Sequence, residues 1–94
     1  MANGLENALE ALRAATRRGD VEAVCRASRV VYVLGLDAAR CDAEQWEGIA
    51  ASVIAAFDQA LKCMVPERDG RMYVNVCDRY EELLSHAPST EVPA

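Results

Sequence analysis

The chain has 94 residues, a formal net charge of −5 and an apolar share of 52%, much of it alanine. A chain this short forms one domain with a thin core, burying about 60–65% of the surface its unfolded form exposes. The acidic balance argues against general nucleic-acid binding, which needs a basic surplus. The longest strongly apolar run, residues 30–34, falls far short of the roughly 20 residues that a bilayer demands.

No basic head followed by an apolar core marks a secretion signal near the start, so the four cysteines are expected as reduced thiols in a cytoplasm. Charge is uneven along the chain. Residues 1–40 hold six basic and five acidic side chains, and residues 41–94 hold four and ten. The early arginines (Arg13, Arg17, Arg18, Arg26, Arg29) read as a solvated helix face before they read as a site for an acidic partner. Arginine outnumbers lysine nine to one, a bias that accompanies GC-rich bacterial or phage genomes.

The first segment predicts a helix. Asn3 is placed to cap it, with Glu6 at the capping-box position. Leu5, Ala8, Leu9, Leu12 and Ala15 recur at helical spacing, and Gly19 supplies a stop. Asp20 opens a second helix, with Val21, Val24, Ser28 and Val31 on one side and Glu22–Arg26 spaced for an ion pair. Residues 30–34 (Val-Val-Tyr-Val-Leu) are apolar all round a helix, so something must cover them. The same run is compatible with a buried strand. Gly35 is expected to close the segment, leaving 36–41 as a connector.

Asp42 and Gln45 form the next capping pattern, with Cys41 and Trp46 placed as a hydrophobic staple. Trp46, Ile49, Ala50, Val53, Ile54, Phe57, Ala60, Leu61 and Met64 then occupy an arc of roughly 140°, which makes this third helix the expected spine. Glu44, Glu47, Asp58 and Lys62 lie opposite. Residues 66–70 (Pro-Glu-Arg-Asp-Gly) predict a turn. A fourth helix carries Tyr73, Val76, Cys77, Tyr80, Leu83 and Leu84 on one stripe; the rival reading pairs 72–76 with 30–34 as strands. Residues 87–94 lack a packing face and are expected to form a flexible tail. The fold class is therefore all-α: a small four-helix bundle-like domain over 1–86, dimerising through apolar helix faces.

The chemistry-bearing residues point away from catalysis. Cys25, Cys41, Cys63 and Cys77 have no Cys-x-x-Cys pairing suited to structural zinc, and core packing is the expected role. The single histidine, His86, sits at the end of the last helix with no orienting partner in sequence, and Ser28 and Ser52 have no histidine beside them. No glycine-rich phosphate loop is present. Glu44/Glu47 and Asp78/Glu82 are each one turn or so apart but face outward, without the inward Glu-x-x-His motifs of di-metal bundles. No metal, cofactor or catalytic residue is expected. Trp46 reads as local packing ahead of a partner anchor.

The positive signal is area. The wide third-helix stripe, the fourth-helix stripe and residues 30–34 together exceed what a thin core hides, and surplus apolar surface rimmed by charge marks interaction sites. The expected surface is a homodimer or partner interface centred on Val30, Tyr32, Val33, Leu34, Ile54 and Leu61. The expected function is that of a small non-catalytic regulator that binds another protein, such as an anti-activator masking a transcription factor or an inhibitor of a larger complex. The alternatives are an adaptor or secretion-chaperone-like protein, and behind them a small-ligand-binding or DNA-binding helical domain.

Overall fold

The computed structural model describes residues 4–88. Four helices follow one another: α1 (Gly4–Arg18), α2 (Val21–Cys41), α3 (Ala43–Cys63) and α4 (Pro66–Ser85), with no strand among the described residues. The strand pairing of 30–34 with 72–76 is thereby excluded, since both runs lie inside helices.

α1 forms where the apolar spacing predicted it, with Leu5, Ala8, Leu9, Leu12 and Ala15 all buried. The expected Asn3 cap lies outside the described residues. Gly19 ends the helix with φ of 68°, a conformation that glycine adopts without a Cβ penalty. The Asp20 amide then donates to the Ala15 carbonyl at 3.2 Å, and Asp20 Oδ1 accepts from the Ala23 amide at 3.1 Å to start α2.

α2 does not stop at Gly35. It continues to Cys41, so the expected connector is helix. Gly35 is buried, and a Cβ there would lie 3.1 Å from Leu83 Cδ2 and 3.2 Å from Trp46 Cζ3. The missing side chain is what lets α3 and α4 close against this turn. That contact outweighs the roughly 1 kcal/mol that glycine costs inside a helix.

α3 begins one residue past the end of α2. Asp42 Oδ1 accepts from the Gln45 amide at 3.3 Å, as the capping pattern predicts. The reciprocal half of the box is absent, because the Asp42 amide donates to the Ala38 carbonyl at 2.7 Å. The expected Cys41–Trp46 staple is also corrected. Cys41 is exposed, while Trp46 is buried against Gly35, and its indole N–H donates to the His86 carbonyl at 2.8 Å. One bond thus ties the start of α3 to the end of α4.

α4 starts earlier than the breaker pattern suggests. Pro66 takes the first turn, where its missing N–H has no helical acceptor to serve. Residues 66–69 form that turn, and Gly70 (φ 37°, ψ −103°) kinks the helix behind it. The nearly covered Asp69 carboxylate accepts from the Val65 amide at 2.8 Å and from Arg68 Nε at 3.0 Å. Arg68 first, and the Val65 amide second, hold this carboxyl below the usual range.

Leu12, Val24, Val31, Val53, Phe57, Val76 and Leu83 are fully enclosed, and Phe57 stacks on Tyr80 at 6.2 Å. α2 and α3 each meet all three other helices, whereas α1 and α4 do not meet among the described residues. α3 is thus central as expected, and α2, the more extensively packed of the two, shares that role. The Cα atoms span 39 × 39 × 19 Å, a slab about two helix layers thick, given interaxial distances of roughly 8–10 Å. A slab leaves wide outer faces. No helix among the described residues is long and apolar enough to cross a membrane.

Candidate functional site

The two sides of α2 have different fates. Val24, Ser28, Val31, Gly35 and Ala38, spaced four and three apart, form the buried side. Ser28 is accommodated because its hydroxyl donates to the Cys25 carbonyl at 2.8 Å and accepts from Arg79 Nη1 at 2.9 Å. Arg79 Nη1 also reaches the Cys25 carbonyl at 2.9 Å, so a single guanidinium fastens α4 to α2. This latch between positions 25, 28 and 79 has no sequence signature, because its partners lie more than fifty residues apart.

The other side of α2 faces solvent. Val30 and Val33 are 50% and 53% exposed. With Arg29 and Leu34 they line a shallow depression of about 400 Å³. Leu34 is half-buried and leans toward the start of α1, where a Cβ on Gly4 would lie 3.7 Å away. Tyr32, on the same turn, is half-buried against the core. The apolar turn is thus split: Val31 is sealed, Tyr32 and Leu34 are partly covered, and Val30 and Val33 are left outside.

Ile54 and Leu61 are half-buried on α3 and pack on the core. Ile54 lines a separate groove of about 510 Å³ between α3 and α4, with Ala51 beside it and Tyr80 and Leu84 across from it. The structure therefore brings Val30, Val33 and Leu34 together and places Ile54 in a second depression that shares no lining residue with the first. Glu47 and Asp58 rim this groove, and among the described residues no basic side chain lines it. Sequence reasoning assigned those acids to a plain solvated face and Leu84 to the core, yet Leu84 is 42% exposed. The available signal was the small residues Ala50, Ala51 and Ala55, which keep the wall beside Ile54 low.

Several of the other polar groups are engaged close to home. Glu44 lines a polar cleft of about 680 Å³ between α1 and α3 with Glu6, Glu10 and Arg13, so it parts from Glu47. Arg13 and Arg17 pair with Glu10 at 3.8 and 3.4 Å, and Arg26 pairs with Glu22 at 3.2 Å. His86 Nε2 lies 3.6 Å from Glu82. Cys25, Cys63 and Cys77 are half-buried, Cys41 is exposed, and all four are free thiols. The Tyr73 phenol is held above its ordinary range chiefly by the neighbouring Cys77. Among the described residues no group of three or more His, Cys, Asp or Glu is arranged to hold a metal ion.

No family model, curated protein or solved structure matches the chain.

Proposed function

We propose that this chain is a small non-catalytic regulator that acts in a reducing cytoplasm by laying the outer side of α2 against another protein. The mode envisaged is masking, as by an anti-activator on a transcription factor or an inhibitor of a larger complex. The observation that carries the reading is the pair Val30 and Val33, half exposed and adjacent on a helix whose opposite side is buried. Each exposed valine offers about 1 kcal/mol of burial to a partner. Arg29 beside them has no carboxylate within 4 Å among the described residues, so it is free to engage an acidic group.

The test is affinity capture from native lysate with the wild-type chain and with a Val30→Asp, Val33→Asp variant. Both positions face solvent, so helical content by circular dichroism stays unchanged. A specific partner held by the wild type and lost by the variant supports the reading. Equal recovery by both removes it.

A further inference from the structure

We propose that the α3–α4 groove is the seat for the outer ridge of α2 from a second copy of this chain. The inference rests on the reading of α2 as a protein-binding face and names one occupant for it.

The argument is a match of pattern and charge. On α2, Arg29, Val33, Leu36 and Arg40 follow at i, i+4, i+7 and i+11. On α3, Glu47, Ala51, Ile54 and Asp58 follow at the same intervals. At 100° and 1.5 Å per residue, each set falls along one side of its helix, with the end charges about 16 Å apart. One set reads basic, apolar, apolar, basic; the other reads acidic, apolar, apolar, acidic. The α2 set is a ridge that crests at Val33, 53% exposed between two exposed arginines, while Leu36 is half-buried at its base against the core. The α3 set lies in a groove, walled on the far side by Tyr80 and Leu84 of α4. An apolar helix face laid into such a groove is a recurrent mode of recognition.

The charges are available. Neither Arg29 nor Arg40 has a carboxylate within 4 Å among the described residues, and Glu47 has no cation within that distance. Asp58 pairs with Lys62 at 3.2 Å, but both ends of that pair are at least half exposed and exchange readily. The ridge is not purely basic, for Asp37 stands on its flank near Cys41. Residues 89–94 are a poorer occupant, as they carry Glu91 and no basic side chain toward an acid-rimmed groove.

The experiment is sedimentation equilibrium under reducing conditions, up to about 0.5 mM, since a single-helix contact falls below the roughly 1,200 Å² of stable complexes. The wild type gains mass above the monomer at low salt and loses that gain as salt rises. Arg29→Glu with Arg40→Glu, and separately Glu47→Lys with Asp58→Lys, each weaken association about 30-fold or more by setting like charges opposite one another. Mixing the two variants, or placing all four reversals in one chain, restores it. Circular dichroism confirms that every variant is folded. A wild type that stays monomeric throughout, a reversal that leaves association unchanged, or a four-fold reversal that fails to restore it overturns the proposal. Such a result leaves the capture experiment untouched, so a foreign partner lost on Val30→Asp, Val33→Asp still stands by itself.

Discussion

The buried and outer sides of α2 are built from the same residue type and do opposite things. Val24 and Val31 on one side are wholly enclosed, while Val30 and Val33 on the other are half in water. Helical rotation alone separates Val30 from Val31 by 100°. The lesson is that β-branched apolar residues in one run belong to two surfaces, one that makes the fold and one left for company. Substitutions on the two sides should therefore move different observables.

The largest effect belongs to Val31→Asp. A carboxylate with no partner at a position sealed from water lowers unfolding free energy by about 4 kcal/mol, a large share of the roughly 5–14 kcal/mol that a domain of this size commands. Urea denaturation checks it. A midpoint close to that of the wild type would falsify the assignment of Val31 to the interior.

Gly35→Val comes next. Its first carbon already meets Leu83 and Trp46 at 3.1 and 3.2 Å, so the added methyls overpack the contact and cost about 2–3 kcal/mol. Gly35→Ala is expected to be far milder, because better helix propensity offsets the crowding. Thermal melts of the pair should separate them clearly.

Trp46→Phe keeps an aromatic ring but deletes the donor to the His86 carbonyl, for a loss of about 1–2 kcal/mol. Val33→Asp, in contrast, changes stability by less than about 0.5 kcal/mol and shows itself in partner capture. If Val33→Asp melts the protein as Val31→Asp does, the two-sided picture of α2 is wrong.

Acid sharpens the same contrast at a smaller scale. The buried side of α2 holds no carboxylate, whereas the α3–α4 turn depends on one. Because Asp69 has its folded value lowered, its contribution is fully present above the ordinary carboxyl value near 4 and fades as pH falls through and below it. Stability of Asp69→Asn should therefore fall less steeply than that of the wild type below about pH 4.

Much of the architecture was legible because local signals and periodicity agreed. Asp20, Asp42 and Gly19 perform the roles that their types and positions suggest, and the α3 stripe is buried or half-buried along its length. Gly35 misled because a glycine that ends a helix and one that admits neighbours look alike in sequence. The difference lies in Trp46 and Leu83, which arrive from other helices. The Cys41–Trp46 staple failed for the same reason, since a better cover for the indole came from afar. The candidate surface was legible in composition but not in orientation. Residues 30–34 announced more apolar area than one side of a helix can hide, but only the placement of α1, α3 and α4 decides which valines stay outside. The groove beside Ile54 escaped notice because a groove is made by what is small, and alanines score as helix formers rather than as empty space.

The enclosed indole has a practical corollary. Trp46 is the sole tryptophan, and it is bonded to the carbonyl where α4 ends. Its emission colour is thus a native gauge of whether that terminus is seated. Any event that pries α4 loose should shift the fluorescence to longer wavelength before the helices themselves dissolve, so the docking can be followed without attaching a dye.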